Sequence, residues 1–245
     1  VEHIVITGGG SGIGLAIAKA LYARDYHLTL IGRDLSKLQS AQALMPKARI
    51  ASCDISDPQA VAATFQSIDG ITGLINNAGS VTPAAFERAS LEDWQRCFSV
   101  NLFGAISCIQ ACLNDLKSAP SGRIINVAST ASLKGYAFVS AYVAAKHALL
   151  GLTRSLALEL STTHVTVNAL CPGYTDTDIM QNAVTALQSK TGQSREDALK
   201  TFTQANPQGR LIHPDEVAEA ALWLLSPGAR SITGQAITIA GGEVM

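Results

Sequence analysis

The chain has 245 residues, 47% of them apolar and 15% charged, and its 18 Lys and Arg against 19 Asp and Glu leave a formal net charge of −1. That composition excludes a disordered chain, and the lack of a basic surplus removes the electrostatic footprint of a nucleic-acid binder. No apolar run approaches a membrane span and no signal-like N-terminus is present, so a soluble, cytoplasmic protein is expected, with Val1 in place of an initiating Met leaving room for a short missing leader or tag.

In chain order, "HIVIT" (3–7) reads as a strand and 13–24 as the helix behind it. Strands "HLTLIG" (27–32) and "ARIASCD" (48–54) follow, then a helix over 57–67 with Pro58 in its first turn. "GLINNAG" (73–79) is the fourth strand and 91–116 a long helix; "GRIINVAS" (122–129) is the fifth strand, followed by a helix over 141–161. "VTVNALCPG" (165–173) is the sixth, a helix over 214–226 starts behind "HPDE", and "QAITIAGG" (235–242) is the seventh. Near-continuous apolar strands have both faces covered, as in a parallel sheet. Their alternation with helices predicts one α/β domain over 1–245, a doubly wound seven-stranded parallel sheet with helices on both faces.

Residues 174–212 stand apart, with no strand and two amphipathic stretches, Ile179/Ala183/Leu187 and Ala198/Leu199/Phe202, on either side of "SKTGQS". An excursion of that length in a compact domain reads as a lid or binding element.

"TGGGSGIG" (7–14) puts five glycines into eight positions between the first strand and first helix. Glycine weakens a fold unless close approach of the backbone is required, and the following helix N-terminus is an anion site. The phosphate loop GxxxxGK[ST] fails because Leu15 follows Gly14, and the hydrolase elbow GxSxG fails at Ile13. The spacing that fits is GxxxGxG, at Gly8, Gly12 and Gly14, with a pyrophosphate as the usual occupant. The second strand ends "LIGRD". With Gly32 where an acid would select NAD, Arg33 can pair with a 2′-phosphate, so NADP is favoured. Asp34, one register step away, keeps NAD as the alternative.

"YVAAK" places Tyr142 and Lys146 four apart on one helix face. A nearby ammonium favours a phenolate, so Lys146 is expected to lower the Tyr142 pKa. Ser129 ends the fifth strand, "NNAG" (76–79) ends the fourth, and Asn101 lies inside a helix where asparagine is a mediocre former. The five cysteines have no metal or redox spacing and read as buried thiols, and the histidines form no HExxH, so no metal is expected.

These stretches together, with "CDISD", "NALCPGYTDT" and "ITGQAITIAGG", resemble the short-chain dehydrogenase/reductase family over effectively the whole chain. The resemblance implies a Rossmann-like fold and an NAD(P)-dependent oxidoreductase interconverting a ketone and a secondary alcohol. It implies Asn101, Ser129, Tyr142 and Lys146 as the catalytic set. Ser129 would polarise the carbonyl, Tyr142 protonate the alkoxide, and Asn101 position a water feeding Lys146. Cofactor contacts are implied for Gly8, Gly10, Ser11, Gly12, Ile13, Gly14, Arg33, Asp54, Ile55, Asn77, Ala78, Gly79, Tyr142, Lys146, Pro172, Gly173 and Thr175. Asp54 would lie near the adenine, Asn77 and Gly79 near the adenosine ribose, and Gly173 and Thr175 near the nicotinamide amide. A homotetramer, or a homodimer, and a lid at 174–212 are implied as well.

The substrate is a small carbonyl or alcohol, with Ser129, Ala131, Leu133, Tyr136, Tyr142, Tyr174 and Met180, beside Val81, as candidate contacts. These are mostly apolar, and the C-terminal stretch is similar to that of members acting on 3-oxoacyl or 3-hydroxyacyl thioesters. A thioester of CoA or a carrier protein is therefore expected. A polyol, steroid or cyclic alcohol is the alternative, and a non-catalytic dinucleotide sensor a remote one.

Overall fold

The computed structural model describes residues 2–245. Seven parallel strands form one sheet in the order β3-β2-β1-β4-β5-β6-β7. They are β1 (His3–Thr7), β2 (His27–Gly32), β3 (Arg49–Ser52), β4 (Ile71–Asn76), β5 (Arg123–Val127), β6 (Thr166–Pro172) and β7 (Ala236–Ile239). The doubly wound architecture read from the sequence is present. β1 and β2 keep their expected limits, and the other five strands depart from theirs by one to three residues, partly because "NNAG", "AS" and the last glycines turn out of the sheet.

Alternation along β1 shows why both faces are apolar. Ile4 and Ile6 point into one core, with Ile17 and Leu21 of α1 (Gly12–Tyr22) and Val217 and Ala221 of α9 (Pro214–Leu225). Val5 points into the other, with Val61 and Phe65 of α3 (Pro58–Phe65) and Cys108, Ile109 and Cys112 of α5 (Gly104–Ser118). Successive strand side chains face opposite ways, so a sheet covered on both sides needs apolar residues at every position. Strand order reverses between β1 and β4, and the carboxyl ends on either side of that switch form the crevice where such sheets bind ligands.

Three expectations change. The helix α2 (Leu35–Leu44) lies in a stretch with no predicted element; its sequence "LSKLQSAQAL" buries only Leu38 and Ala41, too thin a stripe to register as a periodic pattern. The predicted helix 91–116 is three pieces: α4 (Leu91–Phe98), a π-helical turn Ser99–Phe103, and α5. Contrary to the reading that no apolar run approaches a membrane span, the merged helix Leu91–Ser118 is 28 residues, long and apolar enough by composition to cross one. Its inward face, Cys108, Ile109, Cys112 and Leu116, is part of the sheet core.

Beyond β6, α7 (Asp178–Thr191) and α8 (Arg195–Thr203) pack as a pair around Met180, Val184 and Ala198. Ile179, read as core-facing, is 58% exposed; the inward face is shifted by one residue, to Met180 and Val184. Thr177 and Ser194 cap the two helices, and Gly192 ends the first in a left-handed conformation at φ 70°.

Candidate active site

The site begins where β1 runs into α1. Gly8 and Gly12 have φ of 67° and 52°, a region costly for side-chain-bearing residues. A Cβ on Gly8 would lie 2.8 Å from Asn77 Nδ2, and one on Gly14 would strike the Gly8 carbonyl oxygen. Asn77 uses that nitrogen to donate to the carbonyls of Thr7 at 3.0 Å and Gly8 at 3.2 Å. Thr7 Oγ1 accepts from the amides of Asn77 and Ala78, both at 3.0 Å. Asn77 is thus a pin for the glycine loop, and Thr7, missed in the sequence, is its partner; its place at the end of the first strand was the available signal.

The other end of this loop is left open. Among the described residues, six α-helices have a capping side chain: Asp34, Asp57, Ser90, Thr177, Ser194 and His213. At α1 the N-cap Ser11 makes no side-chain bond and no acid stands in the first turn. Uncapped amides at a helix start, beside glycines with no Cβ, suit a pyrophosphate. The residues present therefore fit a dinucleotide. Gly10 packs its backbone on α2, where a Cβ would come within 3.2 Å of Lys37 and Leu38, and Ile13 leans on the α1/α9 core.

At the end of β2, Asp34 caps α2. Its Oδ1 accepts from Ser36 Oγ at 2.6 Å and the Lys37 amide at 3.2 Å. These bonds, the Ser36 hydroxyl's first, hold the carboxyl below the usual range. Arg33 stays 67% exposed, its Nη1 3.8 Å from Asp54 Oδ2. Burial tends to raise the Asp54 carboxyl, but bonds from the Ser56 hydroxyl and amide, with Arg33, bring it below its ordinary value. Ile55 is 6% exposed and its side chain packs in the core.

The four catalytic candidates come from three elements. Tyr142 and Lys146 share one face of α6 (Ser140–Glu159), and Ser129 follows β5. Asn101 sits at the centre of the π turn, 1% exposed. One extra residue per turn there aims a side chain that a regular helix would send elsewhere. Asn101 Nδ2 donates to the carbonyls of Ser80 at 2.8 Å and Cys97 at 2.9 Å. A Cβ on Gly79 would lie 2.8 Å from Asn101 Oδ1 and 3.6 Å from Lys146 Nζ, so the "NNAG" turn, Asn101 and Lys146 converge. Lys146 Nζ donates to the Val127 carbonyl at 2.9 Å and stands 5.6 Å from the centre of the Tyr142 ring.

In the protein by itself the net shift of the phenol is upward. Burial pushes the Tyr142 phenol up to about 12, and the facing Ser129 hydroxyl offsets this only in part. Burial also pushes the buried Lys146 ammonium down to about 8. Desolvation disfavours both charged forms.

On the substrate side, Tyr136 and Tyr174 meet edge to face with ring centres 6.1 Å apart, and Tyr174 meets Phe202 of α8 at 5.3 Å. Ala131 and Met180 are 3% and 6% exposed, and Leu133 packs on the cluster around Leu149. These three shape the wall from behind. Ser129 Oγ accepts from the Ala131 amide at 3.1 Å. Pro172 ends β6 opposite Ile239, and Thr175 donates to the Gly173 carbonyl at 2.9 Å. Sequence reasoning missed Glu243. Its Oε1 accepts from Tyr136 Oη at 2.5 Å and lies 3.0 Å from Lys134 Nζ. No local signal links positions 107 apart, although an acid behind the last glycine pair was visible.

Comparison with known proteins gives a consistent result. The family profile described as short chain dehydrogenase matches residues 2–188. The D-beta-hydroxybutyrate dehydrogenase of Cupriavidus necator is 37% identical, covering 98% of this chain and 96% of that protein. A single-residue variant of the actinorhodin polyketide ketoreductase, solved with NADPH, superposes with a TM-score of 0.94 at 30% identity, covering 99% of this chain and 97% of that one. The 3-ketoacyl-(acyl-carrier-protein) reductase of Brucella melitensis, complexed with NADH, gives 0.90 at 28% identity, covering 100% and 98%.

Proposed function

The chain belongs to the short chain dehydrogenase family, and from that premise we propose that it reduces a 3-oxoacyl thioester to the 3-hydroxyacyl form, with NADPH preferred. It is an NAD(P)-dependent oxidoreductase that interconverts a ketone and a secondary alcohol. The observation that carries the reading is the convergence of Ser129, Tyr142, Lys146 and Asn101 beside an uncapped, glycine-lined helix start.

A bound nicotinamide dinucleotide supplies the hydride. Ser129 donates a hydrogen bond to the ketone oxygen, and Tyr142 gives its proton to the alkoxide that develops there. A phenol at about 12 is fully protonated at neutral pH, which suits an acid and hence the reductive direction. Lys146 stays anchored on the Val127 carbonyl and returns a proton towards the phenol, with Asn101 holding the "NNAG" turn against it. Positioning and hydrogen bonds to the developing charge supply the remaining acceleration.

NADPH is favoured because Asp34 is committed to capping α2 while the exposed Arg33, paired with Asp54 only at 3.8 Å, can turn to form a bidentate pair with a 2′-phosphate. Residues 174–212 act as the substrate lid, hinged beside Gly12, where a Cβ would come 3.2 Å from Thr177. The aromatic wall of Tyr136, Tyr174 and Phe202 suits an acyl chain, and two relatives are named as ketoreductases of acyl or polyketide substrates. The exposed Phe86, Leu91, Phe103 and Leu158 support assembly into a homotetramer.

Steady-state assays of acetoacetyl-CoA and longer homologues with NADPH and NADH, beside a sugar and a steroid panel, test this. Turnover of the thioesters with a higher kcat/KM for NADPH is expected. Inert thioesters beside robust turnover of a sugar or steroid would overturn the substrate.

A further inference from the structure

Glu243 lies third from the end of the chain, yet its side chain is 2% exposed. A buried carboxylate needs partners, and it has two. Tyr136 Oη donates to Oε1 at 2.5 Å, and Lys134 Nζ sits 3.0 Å from the same oxygen. A tyrosine hydroxyl has one proton. With that proton on Glu243, the 2.6 Å contact between Tyr136 Oη and Thr130 Oγ1 has Thr130 as donor. Tyr136 therefore has no donor left for a guest. Lys134 keeps further donors, but its charge is paired with Glu243 and its ammonium also lies 4.9 Å over the Tyr136 ring.

This cluster borders the reacting groups. Thr130 is the residue after Ser129, and a Cβ on Gly173 would stand 3.0 Å from Glu243 Oε2. Tyr136 abuts Tyr174, whose phenol is pushed up by burial and then by the Glu243 carboxylate.

A free 3-oxo acid places a carboxylate two carbons from the ketone and must find a cation or a donor for it. On this wall the phenol's one proton goes to Glu243 and the Lys134 charge is neutralised by the same carboxylate, which would also repel a second one, while Lys146 is held on the Val127 carbonyl. We infer that Glu243 is a specificity residue that excludes free 3-oxo acids by occupying Lys134 and Tyr136, reserving the site for neutral 3-oxo esters and thioesters. The inference rests on the 3-oxoacyl reading above and sharpens it. It separates this chain from the free acid in the name of its Cupriavidus relative.

The test is calorimetric titration of the NADP+-loaded protein with acetoacetate and with its neutral methyl ester, read as binding and not turnover. The wild type is expected to bind the ester at least tenfold more tightly. Glu243→Gln should tighten acetoacetate at least fivefold and leave the ester within twofold. Adding Lys134→Met should abolish that gain. NADP+ affinity within twofold of wild type reports an intact fold, and the wild-type comparison stands independently of the variants. Equal wild-type affinity for the two ligands would overturn the inference alone. So would a Gln variant that weakens both equally, because Glu243 would then be a strut. Binding of neither ligand beside normal NADP+ binding would overturn the 3-oxoacyl reading and this inference with it.

Discussion

The glycine cradle and the tyrosine wall flank the same crevice, and they treat their polar groups in opposite ways. At the cradle, Ser11 caps nothing and the first amides of α1 are left without a side-chain partner. At the wall, Tyr136, Thr130, Lys134 and Glu243 satisfy one another. Unspent donors attract an anion, whereas spent ones present only shape. On the reading proposed above, the cradle recognises a charged ligand through backbone and the wall selects among neutral ones by what it withholds. Tyr142, Lys146 and Asn101 lie on the seam between them.

The largest effect is expected at the seam. Tyr142→Phe removes the acid and should lower kcat by roughly 10²–10⁴-fold, the usual worth of general acid catalysis. Dinucleotide affinity, measured by fluorescence titration, should change less than twofold, because the cradle is untouched. Activity surviving the change would move the proton to another residue and dissolve the seam.

A middle-sized effect is expected on the cradle alone. A charge-assisted hydrogen bond is worth about 1.5–3 kcal/mol. Arg33→Asp should therefore cost NADPH roughly ten- to a hundredfold in kcat/KM and leave the KM for the ketone unchanged. An unaltered NADPH preference would remove Arg33 from recognition.

The smallest effect reads the charge at the seam. Lys146 is an ammonium below about pH 8 and neutral above it, while the Tyr142 phenol keeps its proton to about 12. If the ammonium assists proton delivery, kcat/KM for ketone reduction is level below pH 8. It then falls about tenfold per unit above. A flat profile through pH 9.5 would show that the lysine acts by position only.

Legibility followed the range of the interactions. The strands of "HIVIT" and "HLTLIG" were readable because burial on both faces demands apolar residues at every position. Asn101 was readable as an oddity in a helix, but the π turn that aims it was not. Where the inward face of α7 lies, on Met180 and not Ile179, depended on how α7 and α8 docked. That the Ile55 side chain packs into the core was not readable, because its neighbour Gly104 lies 49 positions away in the sequence.

By itself the sequence determined the parallel sheet, the glycine cradle and the pairing of Tyr142 with Lys146. Each is a matter of local period or of spacing along one helix. Only tertiary structure decided that Asp34 serves its helix, that burial raises the phenol against its lysine, and that Glu243 closes on Tyr136. Desolvation and contacts between distant segments belong to the packed molecule, and no stretch of chain carries them alone.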